Sequence, residues 1–145
     1  MESKTIEALS EAGWFRGRKV GRAQIEELVC SLGFSPTAQQ IDFLDEYSGL
    51  RVVFSQGGQL DCFWVDLEEA VRQTFSEWVK EYSERAGESL IPVGYSNSDH
   101  LLLLVGSDGS LFGGFDDLFE RLGVGTDAGL DSIVLWSPEV NDTDG

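Results

Sequence analysis

Residues 90–113 read LIPVGYSNSDHLLLLVGSDGSLFG. Two readings of this stretch compete. Ser96, Ser98, Asp99, His100 and Asp108 are the residue types of a nucleophile, base and acid. They are also types that turns prefer. Leu90–Tyr95 reads as a short strand. Pro92 has no N–H to give a ladder, which places that strand at an edge or a bend. SNSD is a polar turn. His100–Val105 is a continuous apolar strand, expected to be central and covered on both faces. Asp108-Gly109 marks a tight hairpin turn, and Leu111-Phe112 begins the return strand. A catalytic triad needs a nucleophile on a sharp turn with a base in reach, and the chain has no G-x-S-x-G elbow. The stretch is therefore a hairpin with polar turns. His100 is expected to be a partly exposed packing residue, and no residue is expected to be catalytic.

Helices and strands continue outward from it. Residues 3–12 and 22–32 carry apolar residues at helical spacing, with Gly33 as a stop. SPTAQQIDFLDEYSGL opens on a capping serine with Pro36 in the first turn, and Gly49 closes this third helix. The period then changes to two. LRVVF and QLDCFWVD are strands joined through SQGGQ, a Gly-Gly hairpin signal. Leu60, Cys62 and Trp64 point one way. Asp61, Phe63 and Val65 point the other, an unusually apolar face for a solvated surface. Residues 66–85 form one long helix capped by Asp66, with a stripe from Leu67 through Thr74, Phe75 and Trp78 to Tyr82 that is expected to be core. Residues 116–122 and 127–136 suggest two short helices. The expected organisation is one α+β domain over residues 1–137, followed by a polar tail at 138–145.

The 145 residues are 41% hydrophobic and 25% charged, an ordinary globular mix. The longest apolar run, Leu101–Val105, is far short of the roughly 20 residues that span a bilayer. MESKTIEALSEAGW has no apolar core of signal-peptide length. Cys30 and Cys62 both fall on apolar sides of their elements, which points to two buried reduced thiols. A cytoplasmic location is expected. One histidine and no close cysteine pair argue against zinc, and no cofactor or metal is expected.

The charge is less ordinary. Twenty-six acids against ten bases give −16. Residues 87–145 hold 11 of those acids and a single base, Arg121. Four bases cluster in RGRKVGR, residues 16–22. A field this negative repels nucleic acid and anionic membrane and steers a basic partner inward. GVGTDAG at 123–129 imitates a phosphate loop, but no lysine follows. NDTDG imitates the start of a calcium loop, but no position-12 glutamate follows. Glu68-Glu69 and Asp116-Asp117 are sequence neighbours on expected helices and do not face a common substrate.

AGWFRGRKV, LGFSPTAQQIDFLDEYSGLRV, the Trp78 segment, ESLIPVG and LLLLVGSDGSLFG occur in that order over roughly residues 8–135. This pattern resembles the third family of the SUKH superfamily. The resemblance implies an α+β fold with a mixed, mainly antiparallel sheet packed by N-terminal, central and C-terminal helices. It implies an immunity protein that binds the toxin domain of a polymorphic toxin, often a nuclease or a nucleic-acid deaminase. A scaffold or regulatory module of the same superfamily ranks second. The family has no catalytic motif to carry over. Trp14, Gly49, Leu50, Pro92, Gly94 and Gly109 match its pattern and, with Trp78, are expected to be structural. The expected partner is a basic toxin domain, not nucleic acid or membrane. The expected toxin-facing residues are Phe63 with Asp99, Asp108, Asp116 and Asp117, an apolar centre rimmed by acids. His100→Ala should leave binding to the toxin nearly unchanged; a loss of more than about tenfold, some 1.4 kcal/mol, in a folded variant would restore a role for the imidazole.

Overall fold

A computed structural model describes residues 1–96 and 101–135 of the chain. Asp99, His100, residue 136 and the tail at 138–145 lie outside them. The elements run α1 (Ser3–Glu11), α2 (Arg22–Ser31), α3 (Ala38–Tyr47), β1 (Arg51–Gln56), β2 (Gln59–Val65), α4 (Leu67–Gln73), α5 (Ser76–Ala86), β3 (Ile91–Ser96), β4 (Leu102–Val105), β5 (Leu111–Phe115), β6 (Leu118–Arg121) and α6 (Thr126–Leu135). The six strands form one sheet in sequence order, and every neighbouring pair is antiparallel. The mixed sheet expected from the sequence is thus a purely antiparallel meander within an α+β fold.

The sheet buries both faces, unequally. Val52, Phe54, Phe63, Val65, Ile91, Val93, Leu103, Val105 and Leu111 share the main core with side chains of α1, α2, α3 and α6. We call this the inner face. Leu104 and Phe112 alternate to the other side and pack with Tyr82 and Leu90 in a smaller cluster under α5. β4 is therefore covered on both faces, as its continuous apolar run implied.

Polar side chains lock the inner helices to the sheet. Thr37 and Gln40 form a capping box at the start of α3. The buried Gln40 amide also donates to the Ser89 and Val105 carbonyls at 3.0 and 3.1 Å. At the other end of α3, Arg18 donates to the Glu46 and Ser48 carbonyls at 2.7 and 2.9 Å. The Asp45 carboxylate accepts the Val20 and Gly21 N–H groups at the entry to α2. Arg22 pairs with Asp42, and Arg16 lies over the Trp14 ring. The arginines of RGRKVGR are thus engaged in holding the N-terminal layer together. Buried Trp14 donates its indole N–H to Glu46 at 2.8 Å, Leu50 is buried, and Gly49 follows α3 at φ +85°.

Several expectations from the sequence are corrected. Residues 66–85 are two helices, because Thr74 and Phe75 are extended. Leu67 and Val71 pack into the main core, whereas Trp78 and Tyr82 pack into the cluster on the opposite face. One straight helix cannot serve both sides of a sheet. Trp78 is consequently half-buried rather than core, and Phe75 is 67% exposed. Residues 116–122 are not a helix: Asp116-Asp117 is a two-residue turn, and β6 pairs with β5. Asp116 has φ +52°, the positive φ that a tight hairpin of this twist uses and that aspartate tolerates. Cys30 is exposed, on the solvent side of α2, and only Cys62 is buried.

Pro92 reconciles a central strand with its missing donor. β3 is third of six, yet β2 pairs with it only over Gly94, Tyr95 and Ser96. At Pro92 the strand is locally an edge, and its register against β4 shifts between Pro92 and Gly94. A Cβ at Gly94 would lie 1.9 Å from the Trp64 carbonyl oxygen. Backbone cannot yield as a side-chain tip can. Gly94→Ala is expected to cost more than about 3 kcal/mol, beyond ordinary overpacking. Chemical denaturation checks this, and a loss below about 1 kcal/mol would show that the approach relaxes freely.

Candidate functional site

Register places one row of side chains across the outer face of the sheet. Arg51 opposes Trp64, Trp64 opposes Tyr95, and Tyr95 opposes Leu102. Leu102 opposes Gly114, and Gly114 opposes Phe119. Directly opposed residues project to the same side, and Leu102 and Phe119 pack with the outer cluster. The Arg51 guanidinium sits 4.9 Å from the Trp64 ring centroid, and Trp64 stacks on Tyr95 at 5.1 Å. At the other end Tyr82 descends from α5 onto Gly114 and stacks on Phe119 at 4.9 Å. A Cβ at Gly114 would meet the Tyr82 ring at 2.5 Å, so the glycine makes the seat for that ring.

Between the two stacked ends α5 leaves the sheet uncovered. An open cleft of about 210 Å³ lies there, walled by Phe75, Trp78, Tyr82, Tyr95, Leu102 and Phe115, with Asp116 at its mouth. Glu77, Glu81 and Asp117 share the other side of Trp78. Asp66 and Glu69 act on Tyr95 from the α4 side. Its hydroxyl is raised above the ordinary value, first by burial and then by these two carboxylates. The cleft is therefore aromatic at its centre and acidic on the side of α5 and the 116–117 turn. Two further apolar side chains, Leu118 and Val53, are exposed on the flanking strands β6 and β1.

The turn that carries Asp116 is pinned from α5. The Tyr82 hydroxyl donates to the Asp116 carbonyl, and Arg85 donates to the Asp117 carbonyl at 2.8 Å. Both bonds use backbone oxygen. Among the described residues the ion pairs are Arg22–Asp42, Arg72–Glu69 and Arg121–Glu88. None involves Asp116, Asp117, Glu77 or Glu81.

The structure separates the residues that the sequence grouped as toxin-facing. Phe63 is 1% exposed, tilted against Phe54 in the main core, and offers no surface. The apolar face of β2 that suggested an interface is the inner face, and the outer face carries Cys62 and Trp64. Asp116 and Asp117 do border the cleft. Asp108 lies elsewhere, in a depression with Asp42, Glu46, Tyr47 and Asp127. That depression already holds a cation, Arg16. The Asp108 carboxylate accepts the Ser110 N–H at 2.9 Å, a bond that holds it below the usual carboxylate range. Asp99 is outside the described residues. Phe75, Trp78 and Tyr95 were not expected at the site. Their signals were the Thr74-Phe75-Ser76 break and the cross-strand match of Trp64 with Tyr95, which only the register reveals.

Burial raises the Cys62 thiol, which keeps it protonated and a poor nucleophile. Among the described residues no cluster of His, Cys, Asp or Glu could hold a metal ion, and no helix is long and apolar enough to cross a membrane. The family model described as SUKH-3 immunity protein matches residues 1–135. No curated protein and no solved structure matches the chain.

The anchoring of α5 has a pH signature. Burial, then Asp116 and Glu81, push the Tyr82 hydroxyl up to about 12. A folded value above the unfolded one, near 10, makes this contribution fully present below about pH 10 and lost as pH rises through about 12. Tyr82→Phe should therefore flatten the alkaline loss of stability in a denaturation series. Tyr47, also raised by burial, leaves a residual slope. An alkaline slope identical to that of the parent would remove the Tyr82 hydroxyl from this account.

Proposed function

The chain belongs to the SUKH-3 immunity protein family, and from that premise we propose that it neutralises its toxin by seating the outer sheet face on the toxin domain. The observation that carries this reading is the aromatic cleft of α5 and β3–β5 with Asp116 at its mouth and Glu77, Glu81 and Asp117 beyond Trp78. Interfaces concentrate their energy in central aromatic anchors, while charged rims govern encounter and partner choice. A partner that fits is apolar at its centre and basic around it. Toxins that act on nucleic acid need basic clefts to hold phosphates, so a nuclease or deaminase domain has the matching field. The protein acts by occupancy, with no chemical step. A net charge of −16 opposes binding to nucleic acid or anionic membrane and accelerates encounter with a basic domain. The place of action is the cytoplasm of the producing cell, where the toxin would otherwise reach its substrate.

The test uses the toxin domain encoded beside this chain, with association rates measured at low and high salt. Asp116→Asn with Asp117→Asn should slow association several-fold at low salt. At about 0.5 M salt screening shortens the reach of these charges to a few ångströms, and the difference should vanish. Dissociation should respond instead to Phe75→Ser, a 67% exposed position whose loss leaves stability within about 0.5 kcal/mol. Unchanged rates for both variants at both salt concentrations would remove this face from the interface.

A further inference from the structure

We propose that the cleft between α5 and the sheet is a socket for one arginine side chain of the toxin. This rests on the reading of the outer face as the toxin-binding face and specifies what enters it. Three guanidinium–ring contacts already lie on this face. Arg51 is over Trp64 at 4.9 Å, Arg85 over Phe119 at 5.4 Å, and Arg121 over Phe112 at 5.3 Å. A chain of this length carries roughly two such contacts in all; three on one face mark a surface built for planar cations. Along the row, rings and guanidinium groups run inward from both edges and stop at the cleft. There Phe75, Trp78 and Tyr95 present ring surface to open space, and no arginine of this chain reaches it. The cleft is the gap in the series.

Its mouth supplies the counter-charge. Asp116 is the one non-glycine residue at positive φ among the described residues, and its carbonyl is held by Tyr82. The backbone that carries this carboxylate is thereby held at the cleft, and among the described residues no cation of this chain forms an ion pair with it. Asp117, Glu77 and Glu81 are in the same condition around Trp78. An incoming cation would therefore meet acceptors without breaking internal ion pairs. A guanidinium can lie flat on a ring and donate in its own plane to a carboxylate; an ammonium is more strongly hydrated and cannot stack. A second copy of this chain does not fit the cleft, because it would bring a charge of −16 against −16 and set these acids facing each other.

The full chain, labelled with nitrogen-15, is titrated at fixed ionic strength with the N-acetyl methylamides of arginine, lysine and citrulline. The Trp78 indole N–H resonance, assigned by Trp78→Phe, is the readout. Trp14, whose indole N–H is held by Glu46, serves as the internal control. Arginine should shift the Trp78 signal saturably, lysine about twofold to fivefold more weakly, and neutral citrulline more weakly than either. Asp116→Asn should weaken arginine and leave citrulline unchanged. The socket is overturned by a response to citrulline equal to that of arginine, by equal arginine and lysine affinities, by no saturable shift at Trp78, or by a larger shift at Trp14. Leu102→Arg, which places a charge in the cleft, separates the two levels. If that variant no longer binds the toxin domain but arginine fails the titration, only the socket falls. If it still binds the toxin like the parent, the reading of the face falls and takes the socket with it.

Discussion

The whole arrangement depends on the contact of the Gly94 backbone with the Trp64 carbonyl. No residue with a Cβ fits there. At this point β2 ends, the Asp66 N–H bonds to the Val93 carbonyl at 2.8 Å, and α4 begins over β3. The same few residues shift the register of β3 against β4 and place Pro92 where no ladder partner is required. A chain that continued as a plain strand here would pair Pro92 with β2 and lose a bond. Because β3 bulges instead, its pairing with β2 stops at Gly94, and the end of β2 at Val65 is free to turn into α4 and α5, which divide between the faces of the sheet.

That division explains why the outer face is only half covered. α4 contributes Leu67 and Val71 to the inner core, and the extended Thr74-Phe75 pair redirects the chain so that α5 crosses the opposite side. α5 is anchored at its far end, by Tyr82 on Gly114 and Phe119 and by two bonds to the 116–117 turn. Its near end carries Phe75 and Trp78 out over Tyr95 and Leu102 without closing on them. The uncovered part of the sheet is thus set by where the helix is pinned.

The sequence made the hairpin at 102–115, the helical N-terminal layer and the α+β class readable, because these follow from local period, caps and turn residues. The cap of α3 is displaced by two residues from the expected Ser35, because Thr37 with Gln40 forms the capping box and Pro36 stays outside the helix. Two elements misled for opposite reasons. FDDLFERL has helical spacing, yet Phe119 gains more from stacking on Tyr82 and Phe112 as a strand than it could on a lone helical turn. Residues 66–85 have one continuous stripe, but its halves belong to different cores, and periodicity does not record which face of a sheet a helix meets. Phe63 shows the same limit for strands. Alternation separates Phe63 from Trp64 without saying which side is interior, and it is Phe63 that faces the main core. The acids at 116 and 117 were legible as an exposed pair; their neighbours Trp78 and Tyr95 became so only through register.

The charge distribution has its own logic. Every arginine of the chain is engaged within it: Arg16, Arg51, Arg85 and Arg121 on rings, Arg18 on carbonyls, and Arg22, Arg72 and again Arg121 on carboxylates. The arginines thus hold elements together, while among the described residues the acids around the cleft, Asp116, Asp117, Glu77 and Glu81, form no ion pair. Such a surface is self-repelling, which costs some stability but keeps copies apart. It also means that the cleft's carboxylates can be neutralised only from outside. A basic partner gains twice on docking, from the charges it meets and from the repulsion it relieves. The bonds from α5 to the 116–117 turn hold the backbone of the site in place, so its ordering on docking is confined to side chains. A surface that combines a long-range field with an aromatic seat can separate the two steps of association, the charges acting on encounter and the rings on residence.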